Sequence, residues 1–175
     1  MCRVSAPGVV LLLGLLLSGC SSRLSKPSSA IFKMGEPVQV GPLIYTILDS
    51  EWLDQLGEAS NARTPHQRFL SIRLSVTNSG ASVSGVPSLQ LVDSRGKTYE
   101  ELSDADGLPE WLGYLRMVEP AQTERGSILF DAPLGAYRLR LTDDADLENE
   151  RVALVDVPLQ LGPAVPAPPS PSTPE

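Results

Sequence analysis

The chain has 175 residues, of which 14 are basic and 21 acidic, for a formal net charge of −7. An acidic chain without clusters of basic residues lacks the attraction on which nucleic-acid binding and electrostatic docking to anionic lipid depend, so the composition argues against both partners. Between two polar ends lie about 125 residues, which is enough for one domain with its own core.

The N-terminus has the parts of an export signal. Arg3 precedes an apolar run at residues 9–17, which is shorter than the roughly 20 residues of a membrane-spanning helix. The sequence LSGC at residues 17–20 then resembles the lipobox of bacterial lipoproteins. That resemblance implies cleavage before Cys20, a diacylglyceryl thioether on its sulfur, and acylation of the new N-terminus with a fatty acid such as palmitate. A plain secretory signal and an uncleaved anchor are the alternatives.

Processing at this site fixes the chemistry of the remaining cysteine. Cys2 lies in the discarded signal peptide, residues 1–19, so the mature chain has one cysteine, already modified, and no thiol for a disulfide, catalysis or a metal. Ser21 resembles an outer-membrane sorting signal in cells with two membranes. The predicted location is a cell membrane or outer membrane, with the protein lipid-anchored and facing the periplasm or the exterior.

Two segments flank the predicted domain. Residues 20–34 are rich in serine and are predicted to be the lipid anchor and a flexible tether. Residues 162–175 are dominated by proline and are predicted to be a disordered tail, which is either a ligand for a proline-recognising module, a spacer, or an inert end. The domain itself is assigned to residues 35–161.

Strand patterns recur along that domain. In chain order they are PVQV, LIYTILDSEW, RFLSIRLSVTN, the hairpin LQLVDSRGKTYEE, RGSILFDAP, YRLRLTD and RVALVDVPLQL. Strict alternation of apolar and polar residues over 70–76 predicts a strand with one buried face and with Leu74 in the core. Gly96 is free to adopt the positive φ of the hairpin bend. Seven or eight short strands with turns between them predict an all-β, antiparallel sandwich.

The order of these motifs resembles a bacterial family of unknown function with a telokin-like, immunoglobulin-like sandwich. The resemblance covers residues 33–160. It depends on G-E-P-V at 35–38, V-T-N at 76–78, L-x-D-x-x-G-x-x-Y at 91–99 and G-x-x-x-F-x-x-P at 126–133. Glu119 and Ala121 stand where the family has Asn and Gly, a departure that bears on the turn there. Members are commonly secreted or lipid-anchored, and the family transfers no catalytic or ligand-binding residue.

Residues suited to catalysis or metal binding are scarce. His66 is the single histidine and lies in a polar stretch that predicts an exposed loop. Without a free thiol or a nucleophile elbow, the sequence predicts a protein that is not an enzyme and has no cofactor, with a hydrolase as an alternative. Calcium needs only oxygen ligands, so calcium binding is the other alternative function. The simpler interpretation is that the acidic clusters are solvated loops. The candidate calcium ligands are Asp104 and Asp106 in one cluster, and Asp143, Asp144 and Asp146 in another.

The segment DGLPEWLGYLRMVEP at residues 106–120 concentrates large apolar side chains. Leu108, Trp111, Leu112 and Leu115 recur at helical spacing, which predicts a short helical crossover near residues 108–118. Trp111 either closes one end of the core or, with Tyr114, Leu108 and Leu115, forms a partly exposed patch that anchors a partner.

From these features we predict a membrane-anchored binding or accessory module of the cell envelope. Its predicted partners are the membrane, through the lipid on Cys20, and an envelope protein, with no nucleic acid.

Overall fold

A computed structural model of the chain describes residues 30–57, 61–142 and 151–160, which form eleven β-strands and no helix. The strands are β1 (Ala30–Lys33), β2 (Pro37–Val40), β3 (Leu43–Leu53), β4 (Phe69–Asn78), β5 (Ser84–Val86), β6 (Gln90–Val92), β7 (Thr98–Glu100), β8 (Arg116–Val118), β9 (Thr123–Asp131), β10 (Tyr137–Thr142) and β11 (Val152–Val157). No helix that could cross a membrane is found in these ranges. The predicted signal peptide, Cys20, the second acidic cluster and the proline-rich tail lie outside the described residues.

Nine of the strands form a sandwich of two sheets. One sheet has the order β1-β11-β10-β6-β7 and the other the order β2-β3-β4-β9, while β5 and β8 form a separate two-stranded sheet. All pairs are antiparallel except β1 with β11, which run parallel from Ala30 opposite Ala153. This arrangement confirms the predicted all-β sandwich.

The core between the sheets follows the alternation in the sequence. On β4, Leu74 is completely buried and Arg73 is exposed; on β10, Leu139 is buried and Arg138 is exposed. A second, smaller cluster covers the outer face of the four-stranded sheet, where Phe69 and Leu129 project away from the main core. Burial of such side chains, at about 25 cal/mol per Å² of apolar surface, is the main stabilising term of the fold.

The predicted helical crossover over residues 108–118 is wrong. Its backbone bonds to β9 instead: the Leu112 N–H donates to the Ser127 carbonyl at 3.0 Å, and the Ser127 N–H donates to the Glu110 carbonyl at 2.8 Å. A Cβ on Gly126 would lie 2.3 Å from the Glu110 oxygen, so only glycine permits this close approach. The segment is extended and irregular, so the helical spacing of its apolar residues does not correspond to a helix.

All eight predicted strands are present, and three short ones were missed: β1, β5 and β8. Strand β1, Ala30–Lys33, lies within residues 20–34, so this part of the predicted tether is a strand that pairs with β11. The hairpin between β6 and β7 bends as predicted, with Gly96 at a φ of +83°. At that bend, hydrogen bonds from the Lys97 and Arg95 N–H groups hold the pKa of the Asp93 carboxyl below its usual value.

The turn before β9 contains Ala121, where the family pattern has glycine. Ala121 has a φ of +61°, the left-handed conformation that glycine would adopt without strain. Its N–H donates to the Asn78 carbonyl at 2.9 Å, and the Asn78 N–H donates to the Gln122 carbonyl at 3.0 Å. These two bonds hold the strained residue in place.

Candidate functional site

A cleft of about 540 Å³ opens at one end of the sandwich. Its walls come from the small β5–β8 sheet, the preceding residues Tyr114 and Leu115, the β2–β3 turn at Pro42, and Thr142 at the end of β10. The pairing register places Ala30, the first residue of β1, at this same end. Thr142 lies opposite Val152, and the next residue of β11, Ala153, lies opposite Ala30.

Four large side chains project from the edge of this cleft, and we call them the apolar rim. Leu115 is 92% exposed, Met117 64%, Val83 43% and Tyr114 38%. Strand alternation explains Met117, because its neighbours Arg116 and Val118 point inward. Across the pair, Gly85 lies opposite Met117. The rim therefore consists of one residue of the small sheet and three residues that directly precede its strands, and not of a helix face.

A buried ion pair fixes the small sheet to the sandwich. Arg116 Nη1 and Nη2 each donate to one carboxylate oxygen of Glu101 at 2.8 Å, and the two side chains are 4% and 0% exposed. The carboxylate also accepts the Leu89 N–H at 3.0 Å, and Arg116 Nη2 donates to the Pro87 carbonyl at 3.1 Å. Such bidentate, charge-assisted bonds set geometry tightly. They position the strand from which Met117 projects.

A buried amide fixes the same sheet from the other side. Asn78, at the end of β4, donates from Nδ2 to the Ser82 carbonyl at 2.7 Å and to the Val118 carbonyl at 2.8 Å. Its Oδ1 accepts the Gly80 N–H at 2.8 Å. The V-T-N motif therefore ends in a residue that ties the loop before β5 and the end of β8 to the sandwich.

The cleft is suited to apolar contact. Among the described residues that line it, Arg116 is the one charged residue, and its guanidinium is held by Glu101. The remaining polar groups there include the serine hydroxyls of β5 and its flanking loops. These groups can bury an apolar surface and accept or donate a few hydrogen bonds at its edge.

The four residues predicted to form one patch are divided between two places. Tyr114 and Leu115 belong to the rim, and Tyr114 is partly exposed as predicted. Leu108 is buried and Trp111 half-buried in the second cluster, against Phe69 and Leu129. Residues at this spacing share one face of a helix, but they do not share a face of an extended segment. A partner-binding role for Tyr114 and Leu115 stays a prediction.

The other candidate residues are engaged in ordinary surface contacts. Asp104 forms an ion pair with Arg63 Nη1 at 3.3 Å and also accepts the Asp106 N–H at 3.0 Å. Within the described part of the chain, no group of three His, Cys, Asp or Glu residues could hold a metal ion. Asp143, Asp144 and Asp146 lie outside that part, so calcium binding there stays a prediction. His66 is exposed, and its backbone N–H donates to Asp131.

Sequence reasoning missed Val83, Met117 and the ion pair beneath them. Strands of three residues contain too few alternations to show a period, which hides Met117. One weak feature of the sequence indicates that Glu101 points inward. Glu101 follows Tyr99 by two residues, and Tyr99 packs against the core. That spacing places the carboxylate on the inward side of its strand.

Solved structures with this fold come from several bacteria. The yjhA protein of Bacillus subtilis is 15% identical, with a TM-score of 0.54 over 72% of this chain and 98% of that one. The secreted protein MPT63 of Mycobacterium tuberculosis is 12% identical, with a TM-score of 0.53 over 75% and 98%. The ycdA protein of B. subtilis, named a candidate lipoprotein, is 12% identical, with a TM-score of 0.54 over 70% of this chain. This chain spans 38% of ycdA.

At such low identities these likenesses show the fold alone. No curated protein matches the chain in sequence. Residues 32–151, however, match the model of a protein family, and they include the V-T-N end of β4, the β6–β7 hairpin and Gly126. The chain therefore belongs to the family described as the domain of unknown function DUF4352.

Proposed function

We propose that this protein is a lipid-anchored binding module of the bacterial cell envelope, held by lipid on Cys20 and acting through the apolar rim. The location is supported by the lipobox at residues 17–20. It is also supported by two proteins with the same fold, of which one is named a candidate lipoprotein and the other a secreted protein.

The exposed rim is the observation that carries the binding role. Soluble proteins expose single apolar residues freely, but contiguous exposed apolar groups mark a surface that is covered in use. Here Leu115 and Met117 are more exposed than the other large apolar residues described. They stand on a sheet held by buried polar contacts from Glu101 and Asn78. A surface held in one geometry loses little entropy when it binds, which favours affinity.

The first experiment tests the anchor. Cys20→Ser should abolish labelling by radioactive palmitate and leave the precursor uncleaved at residue 20, because the thioether on sulfur precedes cleavage in the lipoprotein pathway that the lipobox implies. Normal fatty-acid incorporation in this variant would contradict the assignment.

The second experiment tests the surface in the native envelope. A photo-crosslinking amino acid replaces Met117 in one variant and Leu134 in a matched control. Leu134 is also an exposed apolar residue, but it lies in the β9–β10 turn at the opposite end of the sandwich. Binding through the rim predicts a discrete adduct, protein or lipid, at position 117 and none at 134. Equal labelling at the two positions, or none at either, would rule out the rim as the binding surface.

A further inference from the structure

We infer that the apolar rim docks directly onto the lipid bilayer to which Cys20 tethers the chain. This inference rests on the proposed function and names what its binding surface contacts. It starts from the shared location of two features: the rim and Ala30, the first residue of β1, lie at the same end of the sandwich. The lipid-bearing residue is ten positions before Ala30.

The length of the tether makes this end the one that meets the membrane. Ten residues reach at most about 33–36 Å when fully extended. Strand β3, with 11 residues, spans about 36 Å of the sandwich at about 3.3 Å per residue. The opposite end could lie on the bilayer only if the tether ran straight along the whole domain. Ten residues of chain between Cys20 and Ala30 therefore keep the cleft end closer to the lipid than the opposite end.

The shape of the rim suits insertion between lipid head groups. Leu115 protrudes almost completely from the surface, beside Met117, while Tyr114 is more than half covered. Protruding aliphatic side chains enter the boundary between head groups and acyl chains, and tyrosine favours the head-group level just above it.

The charges of the chain favour an apolar contact between the rim and the bilayer. Loss of the signal peptide removes Arg3 alone among the charged residues, so the mature chain has 13 basic and 21 acidic residues and a net charge of −8. Arg116, the one charged residue among the described residues that line the cleft, is paired with Glu101. The rim therefore meets the bilayer through apolar side chains and not through a basic patch.

The test uses the full mature, lipidated protein reconstituted into phosphatidylcholine vesicles. Because Cys20 is acylated, a new cysteine is the single free thiol and accepts an environment-sensitive fluorophore (NBD). Leu115→Cys reports on the rim, and Leu134→Cys is the matched control at the far end. Since a docked side chain sits roughly 5–10 Å into the head-group boundary, spin-labelled lipid should remove about half of the emission at 115 and leave 134 unchanged.

A second variant separates docking from simple proximity. With the fluorophore at Val83→Cys, replacing Leu115 and Met117 by serine should abolish the quenching, while the urea unfolding midpoint stays near that of the parent. Equal quenching at 115 and 134, or no quenching at 115, would overturn the inference. Protein adducts at Met117 in the envelope, together with unquenched 115, would overturn it while leaving the proposed function intact.

Discussion

Removing the guanidinium of Arg116 should destabilise the domain severely. In Arg116→Met, the fully buried Glu101 carboxylate loses two of its three hydrogen-bond donors and keeps only the Leu89 N–H. The Pro87 carbonyl loses its bond from the guanidinium as well. Breaking a buried pair in this way leaves an uncompensated charge, which typically costs about 3–5 kcal/mol. That is a large part of the total stability of about 5–15 kcal/mol usual for a domain.

Replacing both partners should recover part of this loss. Arg116→Met combined with Glu101→Leu leaves no buried charge, and it also removes Arg116 Nε, which has no hydrogen-bond partner among the described residues. The Leu89 N–H then lacks its side-chain acceptor, at a cost of about 1–3 kcal/mol. We therefore expect the double variant to lie between the wild-type protein and Arg116→Met.

Urea unfolding, with a double-mutant cycle over the pair, measures these values. Arg138→Met is the matched control, because Arg138 pairs with Asp156 at 3.1 Å on the surface, with about half of each side chain exposed. Such pairs contribute about 0–1 kcal/mol. If Arg116→Met cost no more than Arg138→Met, the pair would not be the anchor of the small sheet, and the reasoning would fail.

Three further outcomes are expected. Leu74→Ala should cost roughly 2–5 kcal/mol in urea unfolding and Ser75→Ala nearly nothing, because Leu74 is completely buried; equal costs would mean a misassigned register. Ala121→Gly should stabilise the domain by about 1 kcal/mol, since its φ of +61° strains any residue with a Cβ; a loss of stability would show that the turn tolerates alanine. Burial raises the pKa of Tyr137 to about 12, above the ordinary value near 10, so its contribution to stability is complete below pH 10 and is lost as pH rises from about 10 to 12. Unfolding measured across this range should show a larger loss in the wild-type protein than in Tyr137→Phe, and equal losses would contradict this assignment.

The parts of the fold that could be predicted are those with long, regular alternation. Strand β4 has ten residues, and its buried and exposed positions repeat often enough to fix both strand and face. Strands β5 and β8 have three residues each and show no period. Strand β8, which pairs with β5, is held by hydrogen bonds with Asn78 and Glu101, and these come from distant parts of the sequence.

The failure at residues 108–118 has a related cause. The spacing of the apolar residues predicted a helix, but the backbone of this segment forms hydrogen bonds with β9. It approaches β9 next to Gly126, where the missing side chain leaves room for it. Nothing within the segment itself encodes that contact. Two of the four residues of the predicted patch, Tyr114 and Leu115, still lie together. They follow Gly113, where the chain has left the edge of β9, and they line the cleft.

The parallel pairing of β1 with β11 has a mechanical consequence. The tether enters at Ala30, and β11 leaves the sheet at the opposite end, beyond Val157. A pulling force between the anchor and the C-terminal side of the domain acts along both strands in opposite directions. The four paired residues of β1 must then slide past β11 together, whereas an antiparallel partner would let them separate one bond at a time. The first strand of the domain thus resists extraction by tension on its own tether.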